Sequence, residues 1–180
     1  MRRPITVFFA GFVFGLVFLV MSNAALQSVP EQGLRERRLI IPVQGVHAEA
    51  LRDDFNEMHG GRRHEAIDIM APRGTPVLAA DDGRVAKLFL SKPGGLTVYQ
   101  FDDSQTYCYY YAHLNAYAPG LAEGARLRKG EILGYVGSTG NASPDAPHLH
   151  FAIFRLGKER RWWEGTPINA YGFLTGAPGK

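Results

Sequence analysis

Two short histidine motifs carry the side chains of this sequence that could bind a metal ion. His148 and His150 are two residues apart in PHLHFAIF, and residues i and i+2 of an extended strand lie on the same face. His64 and Asp68 are four apart in RRHEAIDIMAPRG, a spacing that shares a face on either a helix or a strand. A strand is favoured here by Ile67 and Ile69, and a turn after it by Pro72 and Gly74.

Neither motif is specific alone, but together they supply the ligands of a catalytic zinc site. Such a site takes three protein ligands and leaves a fourth position open for water or substrate. His64, Asp68 and one of the pair His148 and His150 would make that set, with one imidazole to spare. His113, in the apolar stretch YYYAHLN, adds a further imidazole.

The composition limits the class of protein. The chain has 180 residues, of which 46% are hydrophobic, and this indicates one domain with a substantial core. The formal net charge is only +3, and Arg2 and Arg3 at the N-terminus contribute to it, so we expect no nucleic-acid binding through bulk charge. The single cysteine, Cys108, excludes an intramolecular disulfide and a thiolate zinc site. Any metal must therefore be held by histidine and carboxylate.

A long uncharged segment near the N-terminus predicts export. No charged residue occurs from Pro4 to Val29, and Ile5 to Met21 is apolar except for one threonine and two glycines. The segment is hydrophobic all round and follows two arginines, which is typical of a signal peptide or a membrane anchor rather than of a core helix. We expect residues 1–24 to be one of these two. The rest of the chain would then lie outside the cytoplasm, in the periplasm or cell envelope.

The elements that would position the ligands are short strands. Residues 25–39 are polar and show no sustained period, which predicts a linker. From residue 40 onward, apolar runs of about four to eight residues alternate with turn sequences such as DDG, PGG and DDS. This pattern predicts an all-β domain of antiparallel sheets over residues 40–174, followed by a tail at 175–180. The apolar N-terminal segment would add one hydrophobic helix.

The order of three motifs resembles the lysostaphin- or LytM-type (beta-lytic) zinc metalloendopeptidases, which cleave peptides of bacterial peptidoglycan. The first motif is HxxxD at His64 and Asp68, followed by APRGTPVLAADDGRV; the second is YAHL, and the third is GSTGNASPDAPHLHF. The resemblance extends from Ile40 to Leu174, which is nearly the whole of the chain after the predicted linker.

This resemblance implies a fold, a set of ligands and a substrate. Zinc would be bound by His64, Asp68 and His150, and His113 and His148 would be the catalytic histidines. The sheets would form a two-layer sandwich or half-barrel, with the zinc on the floor of an open groove. The substrate would be a peptide cross-link of peptidoglycan. Membrane contact would be made only through an uncleaved N-terminal segment.

The chain departs from the family pattern in two places. Ala152 follows HLHF where many members have glutamate, and the loop over residues 141–146 is longer. Neither departure removes a ligand, so only the fit of the substrate is affected. Trp162 and Trp163 lie in a charged loop, and we expect them to be packing or hairpin residues.

Two alternative functions come from other classes of protein. The first is a non-catalytic LytM-like module that binds the wall or activates an amidase. Such modules lack one or more ligands, and none is missing here. The second is a lipoyl- or biotinyl-like carrier domain, which would need a modifiable lysine at a hairpin tip. Lys87 and Lys129 lie in no such context.

Overall fold

The computed structural model describes residues 32–177, and this part of the chain consists mainly of β-strands. The strands are β1 (Met58–His59), β2 (Arg62–Arg63), β3 (Ile67–Met70), β4 (Pro76–Leu78), β5 (Gly83–Ser91), β6 (Gly95–Asp102), β7 (Tyr107–Leu114), β8 (Ala116–Tyr117), β9 (Arg126–Leu127), β10 (Ile132–Tyr135), β11 (His148–Leu156) and β12 (Gly165–Ile168).

Helical structure in the described residues is short. Residues 32–36 form helix α1, Ala48–Ala50 form one 3-10 turn, and Tyr171–Thr175 form helix α2. Within 32–177, none of the helices has the length and apolar character needed to cross a membrane. The hydrophobic helix predicted at the N-terminus lies outside the described residues.

The strands build one large and one small antiparallel sheet, as predicted. The large sheet has the order β12-β11-β7-β6-β5-β9, and β3 pairs with β11 beside this path. The small sheet has the order β4-β10-β8, and β1 and β2 form a separate hairpin. The large sheet curls into a half-barrel, so the predicted all-β class is confirmed.

The two faces of the central strands have different environments. On β11, Leu149, Phe151 and Ile153 are fully buried and belong to a hydrophobic cluster that also contains residues of the small sheet. Of the alternate residues of the same strand, Ala152 is buried, whereas His148, His150 and Phe154 are only partly buried. One face of the large sheet therefore forms the core, and the other carries the histidines.

Part of the predicted linker contacts the domain. Leu34 is fully buried, and the guanidinium of Arg37 forms ion pairs of 3.1 Å with Asp81 and 2.6 Å with Asp102. Asp102 is itself fully buried, and it also accepts a hydrogen bond from the backbone N–H of Tyr107 at 2.6 Å. Residues 34–37 thus pack against the strands, while the division of the chain into signal, linker and domain stays a prediction.

Candidate metal centre and active-site groove

The pairing of β3 with β11 places an aspartate directly opposite a histidine. In this antiparallel register Asp68 is the partner of His150, and Met70 is the partner of His148. Ile67 on β3 is fully buried, so the alternation of side chains directs its neighbour Asp68 to the histidine-bearing face.

His64 reaches the same place from the loop that precedes β3. Its backbone N–H donates a 2.8 Å hydrogen bond to the carbonyl of Glu57, which ties the loop to the chain ahead of the β1–β2 hairpin. The next residue, Glu65, adopts a left-handed conformation with φ of 57° and is exposed. This turn directs the His64 ring toward the end of β11.

Three potential ligand atoms converge at this point. His64 Nε2 lies 3.1 Å from Asp68 Oδ1 and 3.0 Å from His150 Nδ1, and the last two atoms are 3.1 Å apart. These three residues are a group of histidine and carboxylate side chains that could hold a metal ion. The set of two nitrogens and one oxygen suits a borderline cation such as Zn²⁺.

The charges in this cluster strongly shift the pKa values of two of its members. Burial lowers the pKa of His64, but the interactions of its ring with the carboxylates of Asp54 and Asp68 outweigh burial and raise the pKa to about 10. Burial raises the pKa of Asp68, but hydrogen bonds from His150 and His64 outweigh that effect and hold the pKa far below its usual range. In the absence of a metal ion, His64 is therefore protonated and Asp68 is ionised at neutral pH.

A β-bulge brings His113 into the groove. Strict alternation from the buried Tyr111 would direct His113 to the core, but the register of β7 with β6 shifts by one residue between Tyr111 and Leu114. His113 sits in this bulge with φ of 61°, a left-handed conformation that costs a non-glycine residue energy and is typical of functional sites. Its ring consequently lies 5.5 Å from that of His150, measured between centroids.

Backbone carbonyls orient the two histidines that flank the cluster. His113 Nδ1 is 2.8 Å from the carbonyl of Thr139, and His148 Nδ1 is 2.8 Å from the carbonyl of Ala146. Because a carbonyl can only accept, both rings carry a proton on Nδ1, and in the neutral form of each ring Nε2 is then the unprotonated nitrogen. Burial, as the largest effect, lowers the pKa of His113 to about 4, so this imidazole is neutral at physiological pH.

The five side chains line one open groove with a cavity volume of about 500 Å³. One wall is the loop that contains Asn141 and Ser143, and the other contains Arg62 and Arg63 of β2. The loop that forms the first wall closely approaches Gly95, which has φ of 64°. A Cβ on this glycine would lie only 2.1 Å from Thr139 Oγ1.

Asp54 is a residue of the site that the sequence analysis did not identify. It is 8% exposed, and its Oδ1 lies 3.5 Å from His64 Nδ1, while its Oδ2 accepts a 3.4 Å hydrogen bond from the backbone N–H of Asp68. Within residues 32–177, Oδ1 is buried without a hydrogen-bond partner. The backbone carbonyl of Asp54 also lies 3.3 Å from His64 Nδ1, so Asp54 contacts His64 through both its carbonyl and its carboxylate. No pattern in the sequence links it to the candidate ligands, because Asp54 lies in a loop.

The structure brings together every histidine and aspartate that the sequence analysis selected. His64, Asp68 and His150 form the cluster, and His113 and His148 lie beside it with 5.0 Å between their ring centroids. His47, which the sequence analysis did not select for the site, is exposed and does not line the groove.

Comparison with known proteins identifies relatives of this arrangement. A family model described as Peptidase family M23 matches residues 62–169, which is more than half of the chain and includes the five side chains of the groove. The L-Ala–D-Glu endopeptidase of Bacillus subtilis (strain 168) is 36% identical over 109 residues, which cover 57% of this chain and 33% of that protein. The peptidoglycan DD-endopeptidase ShyC of Vibrio cholerae is 37% identical over 90 residues, which cover 50% of this chain and 20% of that protein.

The fold has solved relatives as well. The antimicrobial peptidase lysostaphin from Staphylococcus simulans aligns with a TM-score of 0.59 and 26% identity, over 71% of this chain and 49% of that chain. The chain spans a third or less of the length of the two endopeptidases it matches. The similarity therefore concerns the domain that carries the groove.

The opposite pKa shifts of His64 and His113 predict how the stability of the metal-free protein depends on pH. Between pH 6.5 and about 10 the folded state binds more protons than the unfolded state at His64, so the free energy of unfolding should fall as pH rises. Between pH of about 4 and 6.5 the unfolded state binds more protons at His113 than the folded state does. In this range the free energy of unfolding should therefore fall as pH drops. Denaturant unfolding in excess chelator at several pH values measures both slopes.

Single substitutions should separate the two slopes. His64→Gln should flatten the profile above pH 6.5, and His113→Gln should flatten it below pH 6.5. His47→Gln, at an exposed position outside the groove, is the matched control and should leave both slopes unchanged. Variants that keep the slopes of the parent protein would contradict the assigned shifts.

Proposed function

We propose that this chain, which belongs to peptidase family M23, is a zinc-dependent endopeptidase that hydrolyses peptide cross-links of bacterial peptidoglycan. The motif order predicts this family, and the match over residues 62–169 confirms it. The observation that carries the proposed activity is the convergence of His64, Asp68 and His150 beside two imidazoles whose Nδ1 atoms donate to backbone carbonyls. The names of the two endopeptidase relatives support a peptidoglycan peptide as substrate.

The donor set fits zinc. The three atoms form a nearly equilateral triangle with sides of 3.0–3.1 Å. Atoms this close together can all contact one ion at the bond lengths of about 2.0–2.2 Å that zinc forms with nitrogen and oxygen. Asp68 Oδ1 belongs to a carboxylate, and both nitrogens belong to imidazoles that can be deprotonated. His64, Asp68 and His150 would therefore hold the ion.

The remaining residues would carry out proton transfer. Bound zinc supplies Lewis-acid chemistry, because it lowers the pKa of water and polarises a carbonyl group. In its neutral form, either His113 or His148 offers an unprotonated Nε2 and can accept a proton from the attacking water. The imidazolium that results can stabilise the oxyanion of the tetrahedral intermediate or protonate the leaving amine. The carbonyls of Thr139 and Ala146 hold the two rings in the tautomer that this role requires.

Alanine substitutions should separate the metal ligands from the proton-transfer residues. His64→Ala, Asp68→Ala and His150→Ala each remove one of three ligands, so these variants should lose both zinc and activity. His113→Ala and His148→Ala keep all three ligands and should retain about one zinc per chain, yet lose about 10²–10⁴-fold in rate. Zinc content by elemental analysis and peptide release from purified sacculi measure the two properties.

Specific outcomes would contradict this assignment. His47→Ala, at an exposed position outside the groove, should keep both zinc and rate. Loss of zinc in His148→Ala with retention in His150→Ala would reverse the roles of this pair. A parent protein that binds zinc and sacculi but releases no peptide would favour the non-catalytic, wall-binding function.

Asp54 should act as a positioning residue for His64. A carboxylate behind a metal-bound histidine fixes the orientation of the ring, and its loss typically costs about 10–100-fold in metal affinity. Asp54→Asn should therefore weaken zinc binding by about this factor, as measured by competition with a chromogenic chelator. Asp53→Asn is the matched control, because the Asp53 carboxylate accepts a hydrogen bond from Asn169 and does not line the groove. Equal zinc affinity in both variants would show that Asp54 has no such role.

We place the domain outside the cytoplasm, in the periplasm or cell envelope. The support is the uncharged segment from Pro4 to Val29 behind Arg2 and Arg3, together with the peptidoglycan substrate in the name of the Vibrio cholerae relative. A reporter that is active only after export, fused behind Lys180, should be active. Activity of a cytoplasm-only reporter at the same position would contradict export. The mass of the mature N-terminus distinguishes an anchor from a cleaved signal.

A further inference from the structure

Both tryptophans of the chain lie at a second cavity next to the groove. This cavity has a volume of about 230 Å³, and we call it the aromatic pocket. Its side chains are Tyr99, Tyr110, Phe154, Trp162, Trp163 and Glu164. Five of these six side chains are aromatic, and the sixth is a carboxylate at the rim.

The aromatic pocket is continuous with the candidate active site. Tyr110 lines both cavities, and its ring centroid lies 6.0 Å from that of His150 and 4.6 Å from that of Tyr99. The row continues from Tyr99 to Trp162 at 4.7 Å, and from there to Trp163 at 5.1 Å. A continuous series of aromatic contacts thus leads from a candidate zinc ligand to the protein surface.

The sheet register places Tyr110 between two neighbouring strands. Tyr110 of β7 pairs with Tyr99 of β6 on one side and with Ala152 of β11 on the other. Ala152 is the position at which the chain departs from the glutamate of the family pattern. It is 1% exposed and does not line the pocket, so the pocket is formed by the aromatic side chains themselves.

The two tryptophans have different surroundings. Trp162 packs against Phe89 and Tyr99, with ring centroids 5.3 and 4.7 Å away, and is therefore a packing residue as expected from the sequence. Trp163 is 61% exposed, so packing does not account for it. Its loop contains an exposed ion pair of 3.3 Å between Arg161 and Glu164. An indole exposed to solvent at the edge of a cavity is suited to contact a ligand.

We propose that the aromatic pocket binds a sugar ring of the glycan strand to which the substrate peptide is attached. The inference rests on the proposed function, because it takes the groove as the site of the peptide. A pyranose has an apolar face of C–H groups that can stack on an indole or phenol ring. Its edge carries hydroxyl and acetamido groups that can pair with the Glu164 carboxylate and the tyrosine hydroxyls. A concave apolar site with a few polar groups at its edge is complementary to such a ligand.

Binding can be tested without catalysis. Because the only two tryptophans of the sequence are Trp162 and Trp163, intrinsic tryptophan fluorescence reports directly on the aromatic pocket. Titration of the full chain with an N-acetylglucosamine trimer should give a saturating change. Trp163→Ala should raise the dissociation constant at least about tenfold, and Trp163→Tyr should restore most of the affinity. Ile132→Ala, which removes another exposed apolar side chain away from the pocket, is the matched control.

Activity on two substrates then tests the role of the pocket. On intact sacculi Trp163→Ala should raise the apparent KM about fivefold or more with little change in kcat, because it removes binding remote from the reacting bond. On cross-linked stem peptides freed of glycan the same variant should match the parent protein. An absent fluorescence response, or an equal loss on both substrates, would overturn the proposal. If the parent protein cleaves neither substrate, the proposed function fails, and the oligosaccharide titration still decides this inference.

Discussion

The register between β3 and β11 is the constraint on which the candidate site depends. Asp68 lies opposite His150, and Ile67 lies opposite Phe151. Because side chains alternate along a strand, the same register buries Ile67 and Ile69 and directs Asp68 to the groove. A slip by one residue would bury the carboxylate and expose both isoleucines. The hydrophobic contacts that stabilise the sheet therefore also set the positions of two ligand atoms.

Sequence patterns predicted the parts of the site that follow this alternation. The fold class and the shared face of His148 and His150 come from period-two strands, and both agree with the structure. The position of His113 does not follow from the pattern, because strict alternation along β7 would direct its side chain into the hydrophobic core, and only a bulge with a left-handed residue directs it to the groove. Asp54 and Trp163 lie on loops, whose positions depend on packing between distant segments. No local pattern could have placed them.

The imidazoles of the groove differ in the protonation state that their surroundings favour. His64 faces the carboxylates of Asp54 and Asp68, which favour its charged form. The Nδ1 atoms of His64, His113 and His148 all lie within hydrogen-bond distance of a backbone carbonyl, so this contact orients the rings but does not distinguish them. Burial keeps His113 neutral, with no carboxylate within residues 32–177 close enough to offset it. The two carboxylates thus favour a proton on His64 that a metal ion must displace, whereas the burial of His113 leaves its Nε2 available for proton transfer.

The two faces of the large sheet have different roles, and this difference explains why aromatic rings can line a cavity at its surface. Leu149, Phe151 and Ile153 on the core face of β11 are fully buried and supply apolar burial that does not depend on the groove. The groove face is consequently free to carry side chains that solvent contacts, including Tyr110 and the rings beyond it. Strands hold the histidines, where small displacements would matter most for chemistry, while the loop after β11 carries Trp163. Changes in that loop can alter which part of a polymeric substrate is held without moving the candidate metal ligands.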